Sequence, residues 1–385
     1  MSLPTSTRPS RESAGGVKRA ALSPSVAALL IVLFGCLAAC GSPAADNGST
    51  SVLVQIDSTT IAETDSLNIG RPVDIVVSRN GTAYVSDVAQ SHVIAIDRAG
   101  TVVRVFGQKG RGPGEFISPS WLSLRGDTSL FVKDGGQMIV EAFDTRTGRY
   151  LSSQPLPKSS GRIRADGIKL EVAAFSAELQ SNLAEVDENG IATTQGTIPE
   201  IGRKYPKLLG PFANQAFVRS DSTYYSISEF ENAVSSWPIA TRDVKHIEFP
   251  VRKRRGASEV DFETMVNEPA KAASIAYRHS IPMLLERDSR GFLIIAMYDV
   301  DRVGETFKGR FFISIIDVLG ARACVDILLS APDDPPARLA FARDTLISLV
   351  QEITPTGKPS TLLRRYTINT QQCPWLPIKI DGANR

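Results

Sequence analysis

The chain has 385 residues, of which 22% are charged and 42% hydrophobic, with a formal net charge of +2. Such a balance belongs to a folded globular protein and excludes an intrinsically disordered one. Four basic side chains (Arg8, Arg11, Lys18, Arg19) stand near the N-terminus against one acid, Glu12, so the rest is close to neutral. A near-neutral body gives no electrostatic case for a nucleic-acid partner.

The first element is a targeting segment. Basic residues lead into Val26–Ala39, an almost wholly apolar run that is short for a membrane span and suits the core of a signal peptide. It ends in Leu37-Ala38-Ala39-Cys40, followed by Gly41 and Ser42. This resembles the lipobox of bacterial lipoproteins. The resemblance implies a signal peptide over residues 1–39, lipidation at Cys40 with palmitate-type acyl chains, and attachment to a membrane of the cell envelope. Gly41, where an aspartate would signal retention in enteric bacteria, favours the outer membrane. The alternative is an ordinary secretory signal with an incidental cysteine. Residues 40–51, small and polar, read as a flexible tether.

The folded body is expected over residues 52–385. Val52–Ile56 is a strand candidate. Val73–Phe106 then reads as four short strands, Val73–Val77, Thr82–Ser86, Val93–Ile96 and Thr101–Phe106, separated by turn signals such as Arg79-Asn80-Gly81 and Asp97-Arg98-Ala99-Gly100. Four antiparallel strands in this length make one propeller blade, which cannot bury both faces alone and must therefore recur.

It does recur. A turn carrying Gly or Asp, followed by an apolar strand, is anchored at Gly81, Asp127, Gly167, Asp221, Gly291 and Asp344, at spacings of 46, 40, 54, 70 and 53 residues. Six anchors predict an all-β fold, a six-bladed β-propeller. The longest spacing holds an insertion. A helix, broken at Pro269, is expected over about 256–279 on an inter-blade loop. After Asp344 the chain has room for only part of a blade. Val52–Ile56 can supply the missing strand and close the ring, which removes a free sheet edge.

Between the first two blades runs Phe106-Gly107-Gln108-Lys109-Gly110-Arg111-Gly112-Pro113-Gly114-Glu115-Phe116, with Pro119 beyond. This connector resembles that of the NHL-repeat propellers, and the chain as a whole is similar to six-bladed β-propeller lipoproteins. The resemblance implies a fold and a compartment but no reaction, because propellers host binding, hydrolase, lyase and scaffold functions alike. Lys109 and Arg111 invite a phosphate-binding reading. The connector lacks the P-loop Gly-Lys-Ser/Thr, however, and a strand follows it rather than a helix. Glycines that permit a tight crossover are the simpler account.

Candidate chemistry is sparse. Asp87, Asp134 and Glu229 end second strands, with Glu352 a further member. Such a ring of carboxylates suits calcium or a cationic ligand. The competing reading has each acid capping the amides of its own loop. His92, His246 and His279 lie far apart without metal-ligand spacing, and no nucleophile-elbow motif occurs. Arg252-Lys253-Arg254-Arg255 suits anionic headgroups or a solvated loop offset by Glu259, Asp261 and Glu263. With Cys36 in the signal and Cys40 lipidated, Cys324 and Cys373 remain to pair in an exported protein or to stay as buried thiols. The function these features indicate is a ligand- or protein-binding module with no resident cofactor. The alternative is a metal-dependent propeller enzyme, a lactonase-like hydrolase or lyase, with its site in the central channel.

Overall fold

Strand β1 (Leu53–Thr60) is followed by four consecutive strands that pair in order as blade 1: β2 (Pro72–Val77), β3 (Ala83–Asp87), β4 (His92–Ile96) and β5 (Val102–Phe106). Blade 2 repeats this with β6 (Pro119–Arg125), β7 (Ser129–Asp134), β8 (Ile139–Asp144) and β9 (Tyr150–Pro155). Blade 3 comprises β10 (Ser160–Arg164), β11 (Leu170–Ser176), β12 (Ser181–Asp187) and β13 (Gly190–Gln195). Blade 4 follows with β14 (Gln215–Arg219), β15 (Thr223–Ser228), β16 (Ala233–Pro238) and β17 (Lys245–Glu248). Blade 5 has β18 (Ile281–Arg287), β19 (Leu293–Val303), β20 (Thr306–Asp317) and β21 (Arg322–Leu328). Blade 6 has only β22 (Arg338–Ala342), β23 (Thr345–Ile353) and β24 (Pro359–Ile368) of its own, and β1 completes it by pairing antiparallel with β24.

This computed structural model describes residues 51–381, apart from 65–66, 158–159, 166–168, 177–180, 199, 207–214, 230–232, 242, 252–257, 269, 272–274, 276–278, 304–305, 330–337, 356 and 358. The signal segment, the lipidation candidate Cys40, most of the tether, the basic run 252–255, Gly167 and Pro269 lie outside the described residues.

The strand patterns explain the ring. Central strands are buried on both faces, so β3 is buried throughout, whereas outer β5 alternates between half-buried and exposed positions. Among the described residues the buried apolar side chains fall into six clusters, and each joins two neighbouring blades. Phe106, Phe116, Leu130 and Phe143 fill the seam between blades 1 and 2. Ile94, Ile96, Leu349 and Leu363 fill that between blades 6 and 1. The seam between blades 3 and 4 is the smallest among the described residues, built on Leu183, Phe217, Tyr224 and Trp237. Tyr224 and Arg219 reinforce it by donating hydrogen bonds to the buried Glu171.

The turns that reveal the repeat have a structural task. Gly81, Gly291 and Asp344 adopt positive φ (92°, 90° and 60°) where the chain reverses into the second strand. The anchor aspartate of one blade also caps the turn before it. Asp127 Oδ1 accepts from Arg79 N at 2.8 Å, and Asp344 Oδ1 accepts from Ser289 N at 2.8 Å.

Two additions interrupt the ring. Helix α1 (Glu200–Lys204) lies between blades 3 and 4, and helix α2 (Glu259–Asn267) between blades 4 and 5. The sequence pattern missed α1, whose five residues are shorter than any window of helical periodicity. A capping box starts α2: Ser258 Oγ accepts from Asp261 N, and Asp261 Oδ2 accepts from Ser258 N, both at 3.1 Å. The helix ends at Asn267, and Ala270, Lys271 and Ile275 are helical again. The two insertions meet where Tyr205 stacks on Phe262, 6.1 Å between ring centres, and donates to Glu263.

Beyond blade 6 the chain runs back over its neighbours. Strand β25 (Leu376–Pro377) pairs with β21 at the edge of blade 5, and β26 (Lys379–Ile380) pairs with β17 at the edge of blade 4. A disulfide between Cys324 and Cys373, with Cα atoms 5.5 Å apart, fixes the start of this strap. Trp375 packs edge-on against Phe292 and under the Arg322 guanidinium. Two-residue strands carry no periodicity, so the sequence gives no sign of the strap.

Candidate functional site in the central channel

The first strands of the six blades, β2, β6, β10, β14, β18 and β22, neighbour one another around the axis. Each presents an edge with backbone donors and acceptors that no fifth strand satisfies, and buried groups of that kind require partners. Side chains from the preceding blade supply them. Asp74 Oδ2 accepts from Leu122 N at 2.9 Å, and Ser123 Oγ accepts from Ala165 N at 2.8 Å. Ser86 Oγ donates to Ser120 O at 2.6 Å.

The cavity that remains is about 240 Å³ and is lined from all six blades. Its polar groups form two tiers on β10, roughly 7 Å apart by strand geometry. In the lower tier Arg164 meets Glu286 of blade 5 in a two-pronged pair, with N–O distances of 3.0 and 2.8 Å. That fork-to-carboxylate match neutralises both charges. In the upper tier Arg162 places its guanidinium carbon over Trp121, 4.1 Å from the ring centre, and donates across the channel to the Met283 carbonyl. Its nearest carboxylate, Asp74, stands 4.0 Å away, outside hydrogen-bond range.

Electrostatics separate the tiers. Burial pushes the Asp74 carboxyl up to about 6 despite the opposing charges of Arg162 and Arg338. Burial also holds the Arg162 guanidinium below its ordinary value, with Asp74 and Glu286 opposing and Arg338 adding to the shift. Arg338, which starts β22, is lowered by burial as well. The upper tier is thus a desolvated centre with two cations, in which the one nearby carboxyl holds its proton well above the usual carboxylate range.

The strand-end acids occupy a different region. Asp87, fully buried, accepts from the amides of Gly70, Arg71, Ala89 and Gln90 at 2.5–3.2 Å. Asp134, also fully buried, accepts from the amides of Ile117, Ser118, Gly136 and Gln137 at 2.7–3.2 Å, and from the Gln137 side chain. Each carboxylate therefore ties the incoming connector to the loop that follows its own strand. Glu229 follows β15 and is nearly buried, while Glu352, within β23, pairs with Arg364. None of the four lines the channel cavity. Among the described residues no group of three or more His, Cys, Asp or Glu side chains is placed to hold a metal ion.

The glycine-rich connector is held from within. Glu115 accepts from Gly112 N and from the Gln108 side chain, both at 2.9 Å. Gly107, at φ 70°, lies so close to Phe116 that a Cβ there would stand 2.3 Å from the ring. Gly114 N donates at 3.0 Å to Glu141, a buried acid of blade 2 that burial pushes up to about 7. Lys109 and Arg111 are exposed.

Sequence reasoning missed the channel set: Asp74, Trp121, Arg162, Arg164, Glu286 and Arg338. The signal is weak: each stands in the first strand of its blade, three to seven residues ahead of the anchor, with no common offset.

No family model matches this chain, and no curated protein does. Solved structures do match. A putative exported protein from Bacteroides fragilis is similar over 84% of this chain and 98% of its own, at 13% identity and a TM-score of 0.59. A member of the DUF4221 family from Bacteroides vulgatus is similar over 87% of this chain and 100% of its own, at 6% identity and a TM-score of 0.54. At such identities the likeness carries the fold, and it agrees with the topology above: the chain is a six-bladed β-propeller closed by its N-terminal strand.

Proposed function

We propose that this chain is an exported, lipid-anchored propeller of the cell envelope that acts as a binding module, holding a ligand or a protein partner at the channel. The observation that carries the reading is the upper tier. Arg162 and Trp121, from blades 3 and 2, line a cavity together with Asp74 of blade 1, and Arg338 of blade 6 adds its positive field to Arg162. Anchoring rests on the sequence Leu37-Ala38-Ala39-Cys40 and places the membrane, outer membrane favoured, as the first partner. The NHL-like connector fits the same picture as a joint between blades rather than a site.

Two measurements test this. In cells fed a palmitate analogue the full chain is expected to take up label and the Cys40→Ala variant to lose it; equal labelling of both removes the lipid anchor. The purified protein is expected to contain no stoichiometric calcium or zinc. A metal bound one-to-one and held through the channel would replace the binding module with a metal-dependent enzyme.

A further inference from the structure

The channel reading leaves open what is bound, and the upper tier narrows it. Arg162 makes one protein hydrogen bond, to the neutral Met283 carbonyl, and its side chain keeps 18% exposure, so the guanidinium still reaches the cavity. A guanidinium offers five N–H donors in a planar fork that matches a carboxylate or phosphate two at a time. Here the side chain is already held in place: the contact with Trp121, 4.1 Å from its ring centre, and the hydrogen bond to Met283 remove part of the entropy a free arginine loses on binding.

The nearest acid among the described residues does not complete the pair. Asp74 turns Oδ2 to the Leu122 amide and stays 4.0 Å from Arg162. The lower tier, two residues further along β10, shows what a completed pair looks like: Arg164 and Glu286 meet through both prongs. A buried cation without a hydrogen-bonded counter-charge is costly unless something else supplies one.

We propose that the upper tier is a site for a small oxyanion, a molecule carrying a carboxylate or phosphate group, which takes the fork of Arg162 next to Trp121 and within the positive field of Arg338. Asp74 is then a built-in competitor: its ionised form occupies the same positive field as the ligand. This inference rests on the channel being the binding site, and the test separates the two.

The experiment uses the full chain and follows Trp121 fluorescence during titration with acetate, succinate or inorganic phosphate, and with acetamide and 1,4-diaminobutane as neutral and cationic probes. A saturable change is expected with an anion and is expected to vanish in Trp121→Phe, which separates it from the signals of Trp237 and Trp375. Whether a carboxylate or phosphate binds tighter identifies the source of the oxyanion. Arg162→Met is expected to weaken binding at least tenfold, the loss of a charged hydrogen-bonding partner. Because that variant leaves Asp74 without its neighbour and can disturb the fold, Asp74→Asn is the sharper probe. It keeps an acceptor for the Leu122 amide and is expected to tighten anion binding severalfold, a gain that a damaged site does not produce. Unchanged or weaker binding in Asp74→Asn overturns the proposal. Binding of acetamide or the diamine in place of the anions, again lost in Trp121→Phe, overturns the ligand class and leaves the channel site standing. No Trp121 response to any probe, in the wild type or in Asp74→Asn, overturns the oxyanion site, while the binding-module reading still stands or falls on its own tests.

Discussion

Aspartates at the blade tips and an aspartate in the channel perform opposite tasks in this ring. At the tips, Asp87 and Asp134 are fully buried, yet each carboxylate is surrounded by backbone amides from two segments. In the channel, Asp74 receives one backbone amide from the next blade and faces a guanidinium just beyond hydrogen-bond range, and burial raises its pKa to about 6. Burial alone therefore does not mark a functional acid here; the number and kind of donors around it do. Four amides drawn from two segments make a carboxylate part of the backbone architecture, whereas one amide from the next blade and an incomplete ion pair leave Asp74 able to compete for the channel's positive field.

The largest effect expected from this contrast is at the tips. Asp134→Ala removes the fully buried acceptor of four backbone amides and the Gln137 side chain. Unsatisfied buried donors cost about 1–3 kcal/mol each, and allowing for water entry, a loss of about 4 kcal/mol is expected, read as the midpoint of denaturant unfolding. Asp87→Ala is expected to match it, and Asp134→Asn to lose about 2 kcal/mol, because an amide presents donors to donors on one side. If Asp134→Ala loses less than about 1 kcal/mol with its fold intact, the tips are not structural and the contrast collapses.

Much of this was legible in the residues. The fold rests on a turn-and-strand unit whose anchors recur, and every anchor among the described residues stands directly before the second strand of a blade. The N-terminal strand followed from counting, since blade 6 has three strands of its own. Asp87 and Asp134 could be placed at strand ends, but their donors come from connectors 16 or 17 residues earlier as well as from the adjacent loop. Local pattern shows only the second group. The channel was the least visible part. Asp74, Arg162 and Arg338 come from blades 1, 3 and 6 and are joined by closure of the ring, a long-range event with no local trace. The strap was hidden for a different reason: its two-residue strands owe their place to edges on blades 4 and 5 and to the Cys324–Cys373 bond.

The smaller and sharper expectation is that the same Asp-to-Asn exchange changes sign in the channel. A carboxyl whose native pKa lies above its unfolded value holds its proton more tightly when folded. Its contribution to stability is fully present below the unfolded value, near 3.8, and is lost as pH rises through about 6. Asparagine cannot ionise, and its carbonyl still accepts from the Leu122 amide. The difference between Asp74→Asn and the wild type is therefore expected to be close to zero at pH 4 and to grow to a stabilisation of about 1–3 kcal/mol at pH 8, at 1.36 kcal/mol per unit of pKa difference. Glu141, raised to about 7 in the seam of blades 1 and 2, titrates over a similar window in both proteins, so it cancels in the difference. Thermal unfolding of the two proteins across this range is the measurement. A destabilised Asp74→Asn at pH 8 would mean that the ionised carboxylate gains more from Arg162 and Arg338 than burial costs it, and the channel acid would then belong with those at the tips.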